Sequence, residues 1–260
     1  MAEVAAAAWA ERLFRRSVLK QRKLRALVDL LGPTGGLRCL DLGSDNGVVS
    51  LMLRRRGGRW ASADLTDESV ASIRDLVGED VHRLRDERLP FPDAEFDRVV
   101  VVDMLEHVAD DRELVAELSR VLRPGGVLIV NTPHRRDTAL RRLRAALGQT
   151  DERHGHVRPG YTAAELSALL ADRFRVESVR TYSRAFSELV DTAVNLGVGL
   201  AGKRGSAKGV VVTADDVARH RRLFYAYSAV YPLMSAVAKL DALIAWRPGY
   251  MLIARARREE

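Results

Sequence analysis

Cysteine is nearly missing from this chain. Its 260 residues hold a single one, Cys39, which excludes an internal disulfide framework and fits a reducing compartment. Cys39 lies inside an apolar stretch and reads as a core residue, not a nucleophile. Proline is scarce, with eight in all, and no low-complexity tract or internal repeat interrupts the sequence, so disorder is not the expectation. A run able to span a bilayer is also lacking. Leu223–Ala238 carries no charged residue, but it is too short for a membrane-crossing helix and contains Pro232. The N-terminus has no apolar core ahead of a cleavage site, so a cytoplasmic location is expected.

What is present is a globular composition, 47% hydrophobic and 30% charged, with a formal net charge of +7. That excess suits an anionic partner such as nucleic acid, a phosphorylated lipid or a membrane surface. An Arg- and Ala-rich coding bias would give the same balance. Residues 5–31 read as one basic amphipathic helix, with Leu13, Phe14, Val18, Leu24, Leu27, Val28 and Leu31 at helical spacing and Gly32-Pro33 as its end. Beyond it, strand patterns at 37–42, 60–65, 81–84, 96–103 and 127–131 alternate with helix patterns at 48–56, 67–77 and 111–122. Arg123-Pro-Gly-Gly126 reads as the stop of the last of these helices. This rhythm predicts a doubly wound, mostly parallel α/β sheet. A helix opening on a Thr162/Glu165 capping box, a strand at 174–182 and a final strand at 249–256 follow.

The first strand runs into Asp41-Leu-Gly43-Ser44-Asp45-Asn-Gly47 and then into a helix. Glycines at such a turn let backbone approach a ligand at the carboxyl edge of the sheet. The dinucleotide fingerprint does not fit, because Asp45 replaces its middle glycine and a carboxylate there would repel a pyrophosphate. That disfavours a nicotinamide oxidoreductase. Asp64 ends the second strand, where a carboxylate can accept ribose hydroxyls. Leu89-Pro-Phe91, Asp103-Met-Leu-Glu106-His107-Val and Leu122-Arg-Pro-Gly-Gly126 then follow in order.

Taken together, these motifs resemble the class I S-adenosylmethionine-dependent methyltransferases, in particular their small-molecule type 11 branch. The likeness is strong over residues 37–132 and weak beyond. It implies a Rossmann-like seven-stranded sheet and S-adenosyl-L-methionine as cofactor. Position by position, it implies that Asp41, Gly43, Ser44 and Gly47 surround the methionine part, that Asp64 binds ribose, that Arg85 and Asp86 lie near adenine, and that Asp103 and Met104 floor the site. Two departures stand out: Asp45 takes a place where relatives have glycine, and Asp86 is one residue nearer to Leu89-Pro90 than the usual acidic position.

Transfer to an alcohol needs its proton removed, which favours a histidine base. His107 after the fourth strand, His134 after Asn131-Thr-Pro133, and His156 in His154-Gly-His-Val-Arg158 are the candidates, His107 first among them. The His-x-His pair lacks a nearby carboxylate pair, so no metal is expected. No Asn/Asp-Pro-Pro-aromatic motif follows the fourth strand, which argues against amide-nitrogen methylation. The expected acceptor is the hydroxyl of a sugar, a glycan or lipid-linked molecule, or another small molecule. An RNA methyltransferase, or a non-catalytic protein retaining the fold, is the alternative; no RNA-binding module is evident, and nucleic acid is not the expected partner.

Domain boundaries follow from the same reading. Residues 1–183 and 248–260 form the catalytic domain with its N-terminal basic helix, and residues 184–247 form a helical insertion before the last strand. The insertion combines uncharged runs, Tyr225, Tyr227, Tyr231 and Trp246 with flanking arginines. This suits a lid over an apolar acceptor, peripheral contact with the inner face of a membrane, or a homodimer interface. Arg135, Arg136, Arg141, Arg142 and Arg144 form a further basic helix suited to a phosphate-bearing acceptor.

Overall fold

In the computed structural model, residues 2–85, 87–146, 155–200 and 221–259 are described. Two helices, α1 (Ala2–Phe14) and α2 (Val18–Leu31), precede the sheet. The alternation then runs β1 (Arg38–Leu42), α3 (Val48–Arg54), β2 (Arg59–Asp64), α4 (Asp67–Val77), β3 (Val81–Arg83), β4 (Phe96–Val102), α5 (Asp111–Val121) and β5 (Leu122–Pro133). After α6 (Ala139–Ala146), α7 (Ala163–Ala171) and β6 (Phe174–Tyr182) come α8 (Ala185–Leu200) and α9 (Arg221–Lys239), a 3-10 turn at Leu240–Ile244, and β7 (Met251–Arg258). The strands form one seven-stranded sheet in the order β3-β2-β1-β4-β5-β7-β6. Only β7 is antiparallel to its neighbours. Strand order reverses between β1 and β4, so the carboxyl ends of these strands open the crevice where such sheets bind ligands.

The strand β4 shows why the sheet is buried on both sides. Val99 and Val101 pack on one face with Leu114 and Leu118 of α5 and Leu166 and Leu170 of α7. Val100 and Val102 pack on the other with Leu27 and Leu31 of α2 and Val49 and Leu53 of α3. A continuous valine run satisfies both faces, as a central parallel strand requires. Cys39 belongs to the second cluster, where burial pushes its thiol up to about 12.

Two local expectations change. The single helix expected over 5–31 is broken at Arg15-Arg16, because the Ser17 hydroxyl accepts the Lys20 N–H and caps a new helix. The segment expected as a stop after α5 is instead the start of β5, with Leu122 paired to Phe96 across a register irregularity. The capping box at Thr162 and Glu165 is formed, each side chain meeting the other's backbone N–H.

The insertion is tied to the N-terminal helices. Tyr227 Oη donates to the Arg16 carbonyl at 2.6 Å, and Gln21 Nε2 donates to Tyr231 Oη at 2.9 Å. Asp241, only 3% exposed, is the hub. It accepts Arg22 Nη1 at 2.6 Å, Ser187 Oγ at 2.6 Å, and the backbone N–H groups of Arg184 at 2.7 Å and Phe186 at 3.0 Å. It therefore caps the start of α8 and anchors α2 to it. Tyr225, Leu233, Leu243 and Trp246 stay on the surface. Among the described residues, no helix is long and apolar enough to cross a membrane.

Removing a buried carboxylate leaves its donors and the Arg22 charge without a partner, which costs about 3 kcal/mol. Asp241→Ala should therefore lower the thermal midpoint by roughly 6–12 °C, read by circular dichroism. An unchanged midpoint would mean that the insertion is not anchored there.

Candidate active site

The glycine turn after β1 is shaped by contacts that exclude side chains. Gly43 has φ +79°, and a Cβ on it would run into the Val102 carbonyl oxygen at the end of β4. Gly47, at φ +74°, would place a Cβ 2.8 Å from Ile73 Cα. Asp45 takes the left-handed conformation at φ 58°, which aspartate tolerates better than most residues. Its N–H donates to Asp64 Oδ2 at 3.0 Å, while the Leu65 N–H donates to Oδ1 at 2.8 Å. Each Asp64 oxygen keeps a further lone pair. Burial pushes this carboxyl up to about 6.

Asp41 and Ser44 hold the turn from beneath. Asp41 has no exposure, and its carboxylate accepts from Ser50 Oγ, from Ser62 Oγ at 2.8 Å and from Arg54 Nη1 at 3.2 Å. Its carboxylate binds β1 to α3 and β2. Ser44 Oγ accepts the Ser50 N–H at 3.0 Å and steadies the first turn of α3. Met104 is buried below Gly43, and Asp103 beside it adopts φ 45°. The Asp103 carboxylate accepts Asn131 Nδ2 at 2.6 Å and pairs with Lys23 from α2. Burial opposes the Lys23 charge, but Asp103, Glu106 and Asp45 together raise its pKa above the usual lysine range. Arg85 is exposed in a short bridge to Arg88. Asp86 lies outside the described residues.

Beside Asp103 opens a cavity of about 600 Å3. Its cations come from α2 and from the region of α6: Lys23, Arg136, Arg141 and Arg144. Acidic groups face several of them, with Arg136 Nη2 3.0 Å from Glu188 and Arg144 Nη1 3.6 Å from Asp191. Arg135 and Arg142 pair instead with Glu165 and Asp137 and do not line it. Tyr182 and Tyr250 form an aromatic part of the wall, and Tyr182 Oη donates to Asn131 Oδ1 at 2.5 Å.

Of the three candidate bases, His134 and His156 line the cavity and His107 does not. His134 Nδ1 lies 2.8 Å from the Gly249 carbonyl. A carbonyl only accepts, so Nδ1 carries the proton and Nε2 keeps its lone pair. Burial lowers the His134 pKa, which keeps the ring neutral. The His107 ring packs edge-on against His156 at 4.7 Å, and its Nδ1 sits 2.9 Å from the Gly155 carbonyl. Glu106, which the motif carried without a role, is fully buried in the cavity wall and accepts Thr132 Oγ1 at 3.1 Å. Burial, reinforced by Asp103, raises its pKa. Lys23 was legible only as one of many basic residues on an amphipathic helix; nothing in the sequence singles it out.

Residues 40–130 match the family model of a methyltransferase domain. The ubiquinone biosynthesis O-methyltransferase of Hahella chejuensis is 37% identical over 106 residues, 38% of this chain and 44% of that protein. The demethylmenaquinone methyltransferase of Tropheryma whipplei is 31% identical over 109 residues, 41% of this chain and 46% of that protein. The chain thus spans less than half the length of these two relatives. Among solved structures, the [4+2]-cyclase SpnF has a TM-score of 0.60 at 19% identity, over 92% of this chain and 81% of that one. Geranyl diphosphate C-methyltransferase from Streptomyces coelicolor has a TM-score of 0.56 at 14% identity, over 92% of this chain and 78% of that one. These structural likenesses show the fold.

The ribose role that the resemblance implies for Asp64 would make cofactor binding depend on pH. Only the ionised carboxylate offers acceptors to two ribose hydroxyls, so protonation would compete with an adenosyl ligand. Affinity for S-adenosylhomocysteine should be flat above about pH 7 and fall towards tenfold per unit below about 6, where the carboxyl takes up its proton. Asp64→Asn should abolish the slope. Calorimetry across this range reads it, and a flat wild-type profile would contradict the role given to Asp64.

Proposed function

We propose that the chain is a class I S-adenosylmethionine-dependent methyltransferase and that it transfers a methyl group to a hydroxyl of a sugar, glycolipid or similar polar small molecule. One observation carries the reading. The glycine turn and Asp64 share the carboxyl edge of the sheet with Asp103, and Asp103 borders a cavity walled by a neutral histidine.

The residues at the edge fit the cofactor. A Cβ at Gly43 would fill the space between the ends of β1 and β4, so that position demands glycine. Carboxylates at 45, 64 and 103 disfavour a diphosphate but suit a ligand with a cationic sulfonium and ammonium. Asp64 would hold the ribose, the Gly43–Gly47 backbone the methionine part, and Met104 the floor. When bound, the cofactor supplies an electrophilic methyl group. Lys20 and Lys23 of α2 stand near Asp45 and Asp103 as partners for an anionic group.

The chain's own part is to hold and ionise the acceptor. His134 Nε2 takes the hydroxyl proton, and the Gly249 carbonyl on Nδ1 fixes the tautomer that allows it. The cavity mixes paired charges, Asn195 and two tyrosines. That wall supports a polyhydroxylated acceptor, whose ring can lie on an aromatic face while its hydroxyls meet charged groups. Holding acceptor and methyl donor in line provides most of the remaining acceleration.

Radiolabelled methyl transfer to a panel of saccharides, glycolipids, dihydroxy aromatics and RNA tests the reading. Incorporation into carbohydrate-bearing acceptors is expected. His134→Ala should lower kcat by about a hundredfold with little change in cofactor affinity. Transfer only to aromatics or RNA would overturn the acceptor class, and a wild-type rate in His134→Ala would remove the base.

A further inference from the structure

We propose that Glu106, His107 and His156 form a divalent-cation site on the wall of the acceptor cavity. Imidazole nitrogen combined with carboxylate oxygen suits ions of the borderline class, such as zinc, ferrous iron, cobalt or manganese. The donor atoms of the three residues all lie within 4.8 Å of one another, the spread expected of ligands gathered around one ion. Sequence spacing hid this set. His156 follows its partners by almost fifty residues, and the expectation of no metal weighed it only against its neighbour His154.

A second observation is independent of that clustering. Glu106 has no solvent exposure, and its Oε1 has no hydrogen-bond partner among the described residues. A fully buried carboxylate oxygen without a donor is costly. A cation at the triad would meet it, and the Lys23 charge that also faces Glu106 is offset by its pairing with Asp103.

The surroundings orient Glu106 and His107 and hold the segment that carries His156. Thr132 Oγ1 donates to the other Glu106 oxygen at 3.1 Å. The Gly155 carbonyl accepts from His107 Nδ1, which leaves Nε2 as the ligating nitrogen. The segment carrying His156 is clamped onto the one carrying Glu106: the Val157 N–H donates to the Glu106 carbonyl at 2.9 Å. Arg158 donates to the carbonyls of Val108 at 3.0 Å and Ala109 at 2.8 Å and pairs with Asp111.

Three protein ligands leave coordination positions open, as in catalytic and not structural sites. Glu106 and His156 line the cavity, so those positions border the acceptor. An ion there would draw charge from the acceptor hydroxyl and make its proton easier to lose to His134. The oxygen then bonds to the methyl carbon as the carbon–sulfur bond breaks, and that electron pair stays on sulfur. This role, though not the site itself, rests on the methyl-transfer reading.

The test uses the full chain, treated with chelator and titrated with Co(II) while its visible absorption is followed. One equivalent of Co(II) bound with d–d bands is expected, and His156→Ala and Glu106→Gln should each weaken binding by roughly tenfold or more. S-adenosylhomocysteine binding, measured in parallel, should persist in both variants and shows that they are folded. No Co(II) binding by the wild type at millimolar metal, or equal binding by both variants, would overturn the site. Failure of the wild type to bind S-adenosylhomocysteine would instead count against the proposed function.

Discussion

A carboxylate with no contact with water, that of Asp41, joins three elements at the ligand edge of the sheet. Ser50 and Arg54 reach it from α3, and Ser62 reaches it from β2. A charge at this depth is tolerated only when its acceptors are filled and a cation is close, and breaking such a set costs several kcal/mol. The three elements are thereby held in one relation to each other. That relation lets the Asp45 N–H reach Asp64 and leaves Gly43 pressed against the end of β4. The shape of the turn is thus imposed from below, by groups that have no need to touch a ligand.

A second constraint closes the edge from above. Three consecutive residues of α2 reach three different parts of the molecule. Gln21 bonds Tyr231 of α9, Arg22 bonds Asp241 after it, and Lys23 pairs with Asp103 at the cavity. Asp241 in turn holds the start of α8, whose Glu188 and Asp191 face the arginines of the cavity wall. The N-terminal helices, the insertion and the cavity therefore form one connected unit. The tyrosines of the insertion that suggested contact with an apolar ligand or lipid divide accordingly: Tyr227 is bonded to the turn between the first two helices, Tyr231 to the second of them, and Tyr225 remains on the surface.

The sheet was legible because its signals are local. The valine run of β4, the glycine turn and the capping box at Thr162 each follow from backbone geometry and burial, which act over a few residues. The candidate site was legible only at the turn and the strand end, at Gly43, Gly47 and Asp64. Side chains that arrive from elsewhere in the chain were not. Lys23 resembles its neighbours Arg22 and Arg25 in sequence, and only the placement of α2 against Asp103 gives it a separate role. His107 stood ahead of His134 in the sequence, although both follow strands at the ligand edge. The carbonyls of Gly249 and Gly155 that fix their tautomers, and the cavity that one lines and the other does not, come from distant segments. Ser17 was read as a mid-helix residue, although a serine hydroxyl competes for backbone N–H groups and here begins a helix.

The central claim, that the turn after β1 and the end of β2 receive an adenosyl cofactor next to an acceptor cavity, is tested most directly by a crystal structure of the chain with S-adenosylhomocysteine. The account predicts ribose hydroxyls within hydrogen-bond distance of Asp64, the methionine part along Gly43–Gly47, and the sulfur facing the cavity beside Asp103. Density for the ligand at any other place, or none at saturating concentration in crystals that leave this edge open to solvent, would contradict it.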